Sequence, residues 1–429
     1  MRADLLIRQA VTAAGAAPVD IAVADGRIAA IGPALRCEAA ETVEAGGAFA
    51  FPGFVESHIH LDKAGILGRC TLCEGTLAEA VRETARAKAG FTVEDVYARA
   101  ARVVEKAILH GTTRMRSFVE VDPRVGFRAL EAILKIKAHY AFALDLEICA
   151  FAQEGLTQEP ATYAMLDEAL SAGADLVGGC PYTDPDAETH IERIFTLARR
   201  HDVAVDFHLD FSLDPGHTDL PAVIDATMQH GWGGRVSIGH VTNLSAMPSE
   251  QVRAIGARLA EAGIALTVLP ATDLFLNGRG AEMLVPRGVA PAHVLAECGV
   301  LTTIASNNIL NPFTPYGDAS LLRMANLYAN IAQLAREAEL AQVFAMVTSA
   351  PAQLMGRSYG LKQGEDATII LIDCASPADA VREIPRVIGG WKRGRRSFWN
   401  GQPQIFSGTP MVAGKNIGLD PAHPWMLNV

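Results

Sequence analysis

The chain has 429 residues, 50% of them hydrophobic and 20% charged, so it can bury a large core and is neither collagen-like nor wholly disordered. Its 37 Lys and Arg against 48 Asp and Glu give a formal charge of -11 with no basic patch, which argues against nucleic acid or an anionic membrane as partner. Seven scattered cysteines suit a reducing compartment, and the charged opening MRADLLIRQAVTAAGAAPVD reads as a folded strand with no signal peptide or membrane span, so the cytoplasm is the expected location.

Short β-rich pieces open the chain: Leu5 to Thr12, Ile21 to Val23, then Ile28 to Ile31 after Asp25-Gly26, a dipeptide that predicts a tight hairpin. The same texture returns in Gly364 to Asp373 and Arg386 to Gln402. These ends predict one small β domain formed by both termini, from segments 1–50 and 356–429.

Between them, residues 51–355 alternate strand-like runs with longer helical patterns, the mark of βα units with parallel strands. The expected strands are Ala50 to Ser57, Thr113 to Val119, Ala143 to Cys149, Leu176 to Gly179, Ala204 to His208, Arg235 to His240, Ala265 to Leu269 and Thr302 to Ser306. Eight such strands in roughly 300 residues predict an α/β fold of the TIM-like (β/α)8 type. A doubly wound sheet would need a glycine-rich cofactor turn near the first strand, where this chain offers histidines. The stretches TLAEAVRETARAKA, HIERIFTLARRH and VRAIGARLAEAG read as outer helices with their Glu, Arg and Lys on a solvated face.

In a barrel, chemistry assembles at the C-terminal ends of the strands. His58 and His60 lie two apart on the first strand and point the same way, so both imidazoles can reach one point or can be satisfied as buried histidines. His208 and His240 end two further strands, and four imidazoles from three strands converging on one mouth predict a site for one divalent metal. The expected ligands are His58, His60 and His208, with His240 either a ligand or a hydrogen-bonding group for water or substrate. Imidazole suits Zn or Fe, and Mn is also compatible. The lone CxxC at Cys70 and Cys73 lacks the second pair that a thiolate zinc site needs.

The segments PGFVESHIHLDK, FAQEG, DLVGGCPY, DFHLD, IGHVT and SNNILNPFTPYG, in this order over nearly the whole chain, resemble the amidohydrolase superfamily, in particular its bacterial cytosine deaminase-like and N-isopropylammelide amidohydrolase-like branch. The resemblance implies a distorted (β/α)8 barrel with a small β-sandwich, one Fe or Zn on His58, His60 and His208, His240 beside the water, and Gln153 reading a pyrimidine or triazine ring. The residues themselves leave open that Gln153 bonds the backbone at a loop start.

This chain departs from the family where proton transfer is expected. Asn307 stands where the family has an aspartate at the end of the eighth strand, and Phe211 where it has a glutamate three residues after the strand-five histidine. Neither can carry a carboxylate proton, so ordinary cytosine deamination is disfavoured. Phe211 can pack against an aromatic or apolar substrate or simply against its own loop. Asn308 and Asn311 also replace carboxylates, and Phe118 a histidine. Lys63, in an HLDK segment shared with the ammelide-hydrolase branch, is a candidate to steer an anionic ring oxygen. Asp62, Asp210 and Asp273 follow strands, and Asp210, two residues beyond His208, is the best placed substitute acid or base. Glu120, Asp122 and Arg279 are further rim candidates, with structural pairing the alternative reading for Arg279.

The sequence thus predicts a metal-dependent hydrolase of a non-peptide C–N bond in a small cyclic amide, amidine or heteroaromatic amine. In this reading His240, Lys63 and Asp210 serve catalysis, and Gln153, Phe211, Asn307 and Asn308 contact the substrate. The alternative is a non-catalytic small-molecule-binding relative. A homo-oligomer is an expectation carried by the resemblance alone.

Overall fold

The structure is a computed structural model in which residues 2–401 are described; the expected C-terminal segment therefore extends, from Gln402 to residue 429, outside the described residues. Strands β1 (Arg2–Ala10), β2 (Val19–Ala24), β3 (Arg27–Gly32) and β4 (Glu38–Glu44) form a first small sheet in the order β3-β2-β1-β4. The β2–β3 turn is the expected hairpin, with Asp25 at φ 52° and Gly26 at φ 72°, the left-handed pair that Asp-Gly accommodates.

A short β5 (Phe49–Phe51) follows, and then the barrel strands β6 (Phe54–Ile59), β7 (Thr112–Glu120), β8 (Asp145–Ala152), β9 (Leu176–Gly179), β10 (Ala204–Leu209), β11 (Val236–His240), β12 (Ile264–Val268) and β13 (Thr302–Ile304). Late in the chain, β14 (Ile369–Ile372), β15 (Val387–Lys392) and β16 (Arg395–Trp399) join β5 in a second small sheet of order β16-β15-β14-β5.

The expected strand Ala50 to Ser57 is two strands in the structure. Pro52 has no N–H to continue a ladder, and Gly53 turns the chain at φ 99°, so β5 pairs with β14 while β6 enters the barrel. Alternation along β5 then joins the two parts. Ala50 faces the sandwich core with Leu5, Ile21, Leu371 and Trp391, while Phe49 and Phe51 pack on the barrel side against Phe54 and Phe344.

The eight barrel strands are parallel and run in chain order, with helices between successive strands. Closure comes from a parallel bridge between Ile59 and Asn307, in which Asn307 N donates to His58 O at 2.9 Å and His60 N donates to Asn307 O at 2.9 Å. The outer helices have the predicted amphipathic form, and Thr76, Thr92 and Asp186 cap three of them through side-chain oxygens.

One expectation fails in part. On the helix Leu77–Lys88, Glu79, Glu83 and Lys88 are buried, not solvated, because that face is covered by the loop before it and by the mouth of the barrel. Among the described residues, all seven cysteines are free and no helix is long and apolar enough to cross a membrane.

The barrel interior is tight at β9. A Cβ on Gly178 would lie 2.0 Å from the carbonyl oxygen of Asp206, a backbone atom of the neighbouring strand. Gly178→Ala is expected to lower stability by about 1–3 kcal/mol or more, seen as a reduced urea midpoint. An unchanged midpoint would refute this account of the packing.

Candidate metal centre and active-site cavity

At the barrel mouth the Nε2 atoms of three imidazoles meet: His58 lies 3.1 Å and His60 3.0 Å from His208. A tetrahedral ion with metal–nitrogen bonds near 2.05 Å separates its ligand nitrogens by about 3.3 Å, so a small outward shift would accommodate it. Phe118 stacks on His58 at 3.8 Å between centroids, and Phe151 covers His208 at 4.2 Å. Burial, followed by the positive neighbours, holds all three imidazoles well below their ordinary pKa and thus neutral, the state a metal ligand requires. Their Nδ1 atoms are buried without a partner. Protons on Nδ1 would aim three lone pairs at one point, an arrangement that a cation relieves.

His240 stands beside this cluster, its ring centroid 5.1 Å from that of His208. Its Nδ1 is 2.6 Å from Oδ1 of Asp273, so a proton donated there leaves a lone pair on Nε2. Phe211 meets the His240 ring edge-on at 4.7 Å and 81°. Asn307 is 1% exposed and neither polar atom of its side chain has a partner. His240 and Asn307 both adopt left-handed backbone, at φ 70° and 59°, as do Asp210 and Val241 at 49° and 48°. Such residues, uncommon outside glycine, gather here at the ends of β10, β11 and the closing segment after β13.

On the opposite wall, Lys63 Nζ donates to Glu120 Oε1 at 2.6 Å and to Gln153 Oε1 at 3.1 Å, and it sits 4.5 Å from the Phe313 ring centre. With its oxygen so occupied and its Nε2 directed at Cys180 Sγ, Gln153 has one amide N–H left to offer. Burial alone would raise the pKa of Glu120, but the Lys63 and Lys88 ammoniums outweigh it and hold the carboxyl at about 2. Asp62, which accepts from the backbone of Lys63 and Glu120, is pushed up to about 6 by burial and by the Glu120 charge.

The cavity between these walls is narrow, with about 10 Å³ open to water centres, close to the space of a single water. Of the residues the sequence singled out, His60, His208, His240, Lys63, Gln153, Phe211, Asn307 and Asn308 line it, and His58 lies beneath. Asp210 does not. Its carboxylate accepts from Thr218 Oγ1, Asp219 N and Asn243 Nδ2, so it anchors the loop after β10, beginning at its own left-handed backbone.

Arg279 stacks on Phe275 and donates to Glu74 O, the structural alternative. Sequence reasoning missed Tyr182, Thr272, Leu77, Leu276 and Phe313 as lining residues. Tyr182 follows β9 in CPY and was reachable by the strand-end rule, whereas Leu77 and Leu276 arrive from helices with no such signal. It also missed Glu56, a fully buried carboxyl that accepts from the backbone of His58 and Ser306 and that burial raises to about 7.

Fold and cluster together define a (β/α)8 barrel with an imidazole cluster at the C-terminal ends of its strands. Residues 92–398 match the model of the amidohydrolase family. N-isopropylammelide isopropyl amidohydrolase of Pseudomonas sp. (strain ADP) is 25% identical over 91% of this chain and 96% of its own length. The crystal structure of 5-methylcytosine deaminase from Klebsiella pneumoniae liganded with 5-fluorocytosine superposes with a TM-score of 0.89 at 28% identity, covering 94% of this chain and 99% of that one. N-isopropylammelide isopropylaminohydrolase from Burkholderia multivorans gives 0.81 at 28% identity, covering 93% and 99%. The chain belongs to the amidohydrolase family. Members of this superfamily bind a divalent metal ion, and His58, His60 and His208 could hold one.

Two outcomes follow from this geometry. Because Glu120 is held below its ordinary value near 4.5, its contribution to stability is complete above that pH and is lost as pH falls toward 2. The wild type should therefore lose unfolding free energy more steeply across that window than Glu120→Gln, as measured by urea titration at several pH values. Asp210→Asn should cost about 1–3 kcal/mol by loosening its loop, with bound metal unchanged. Loss of metal in that variant would place Asp210 in the centre after all.

Proposed function

We propose that this protein is a metal-dependent hydrolase that opens a non-peptide C–N bond in a small cyclic amide, amidine or heteroaromatic amine. The observation that carries the reading is the meeting of three neutral imidazoles beside a buried His240–Asp273 pair in one cavity. Relatives named for hydrolysis of N-isopropylammelide and for deamination of pterin and 5-methylcytosine support the substrate class. Zn or Fe is the proposed ion, since neutral imidazole suits both.

Bound at His58, His60 and His208, such an ion would polarise the substrate and lower the pKa of water. His240 Nε2 takes the proton of the attacking water, and the Asp273 carboxylate steadies the imidazolium that results. For a cyclic amide the same proton then passes to the departing nitrogen, and the other water proton stays on the carboxylic acid formed. For a heteroaromatic amine His240 carries two protons in turn, in place of the carboxylates that Asn307 and Phe211 replace. The first goes from water to the ring nitrogen, and the second from the added hydroxyl, as it becomes the carbonyl, to the departing amine. Lys63 and the free N–H of Gln153 present donors to an oxygen or anionic nitrogen at the substrate's edge, and Asn307 offers an unpaired amide. Phe211, Phe313, Leu77 and Leu276 supply the apolar lining, and these side chains must move apart to admit a ring into a space that now fits about one water.

Metal should be counted in protein purified without added metal or chelator. About one Zn or Fe per chain is expected, falling to near zero in His58→Ala and His208→Ala. Asp273→Asn should retain the metal and lower kcat by about 10²–10⁴-fold on whichever aminopyrimidine, aminotriazine or cyclic amide is turned over. Stoichiometric metal without turnover across such a panel would favour a non-catalytic binder, and a wild type that refuses added metal would sink the mechanism.

A further inference from the structure

Behind the Lys63 wall lies a cluster that the proposed chemistry does not use. Lys88 ends the helix Leu77–Lys88, is 1% exposed, and directs its Nζ at three carboxylates: Asp122 Oδ2 at 2.6 Å, Glu154 Oε1 at 2.6 Å and Glu120 Oε2 at 2.7 Å. The ammonium donates a hydrogen bond to Glu120 Oε2 and lies within ion-pair distance of the other two carboxylates. Among the described residues, oxygens of Glu120, Asp122 and Glu154 lie within 4.8 Å of one another, a donor set suited to a hard divalent cation.

We propose that the Lys88 ammonium is a built-in cation, filling a three-carboxylate cage that would otherwise take a divalent ion, and that through the shared Glu120 it fixes Lys63 at the cavity wall. Lys88 is thus a positioning residue, and this role rests on the reading of the cavity as a substrate site. Glu120 is the link: its Oε2 faces Lys88 and its Oε1 faces Lys63 at 2.6 Å. Besides Lys88, Lys63 faces Glu120 and the half-exposed Arg124 lies 4.0 Å from Asp122; without Lys88 the three carboxylates would be under-neutralised, and Glu120 would no longer be drawn from both sides.

The cage also locates the helix. Glu120 and Asp122 come from the end of β7 and the residues just after it, Glu154 follows β8 and Gln153, and the other end of the helix begins with the cavity residue Leu77. One cation therefore ties together two strand ends and the helix that covers the mouth. A guanidinium is too wide to place one nitrogen within 2.7 Å of all three carboxylates, so lysine is the residue that fits.

The test uses Ca²⁺, which prefers oxygen ligands and leaves an imidazole site alone. Lys88→Met keeps the stem's apolar volume and removes the charge. It is expected to melt below the wild type in Ca²⁺-free buffer, to bind about one Ca²⁺ per chain by calorimetry, and to recover its melting temperature in millimolar Ca²⁺. The wild type should show neither binding nor shift.

Lys88→Met/Glu154→Gln removes one carboxylate with the ammonium, so it should fold more stably than the single variant without Ca²⁺, and it remains informative if the single variant is insoluble. In the crystal structure of the Ca²⁺-free single variant Lys63 should be displaced from its cavity-wall position toward the under-neutralised carboxylates, and in Ca²⁺ returned. A Lys88→Met protein that melts like the wild type with or without Ca²⁺, a double variant no more stable than the single, or an unmoved Lys63 would overturn the proposal. None of these readings needs turnover or metal on the histidines, so their failure is separable from failure of the hydrolase assignment.

Discussion

The site depends on how the barrel closes. β13 ends at Ile304, and the last link to β6 is made by the backbone of Asn307, held between His58 O and His60 N. One residue thus sets the spacing of two imidazoles and carries its own amide into the cavity. Its left-handed backbone is the price of that double use, and the loop that follows is organised to hold it. Asn311 accepts from Phe313 N and Thr314 N and donates to Asn308 Oδ1 and Lys63 O, tying the segment after β13 to the segment after β6.

Around this seam the barrel buries an unusual amount of charge without leaving it alone. Lys63 and Lys88 offset most of the charge of Glu120, Asp122 and Glu154 on one side, and Arg116 pairs with Asp206 and Glu147 on another. Buried charges are tolerable only in such company, because each loses its hydration. The imidazoles solve the same problem differently, by remaining neutral.

Much of this was legible in the sequence. The period-two pair His58 and His60, and His208 and His240 at strand ends, lie on local patterns, and alternation sends them to the mouth whatever the rest of the chain does. The strand–helix alternation was strong enough to yield the barrel, with Leu176 to Gly179 falling on β9 residue for residue. Asp210, the expected substitute acid or base, is instead bonded to its own loop, since whether a side chain after a strand faces the cavity depends on the backbone turn it makes, and φ 49° at that position leaves no trace in composition. It took Lys88 for surface because a helical face shows periodicity without showing what covers it.

The sequence alone therefore determined the fold class and the placing of the imidazoles at strand ends, since these follow from residue identity and from periods of two or 3.6, while the departures at Asn307 and Phe211 are read against the resemblance to the family. Tertiary structure alone decided the partners. Asp273 lies 33 residues from His240, Glu120 lies 57 from Lys63 and 32 from Lys88, and Leu77 and Leu276 reach the cavity from separate helices. Such pairings are made by the order of strands around the closed barrel and by the course of its loops, quantities that depend on the whole chain at once and on no local stretch of it.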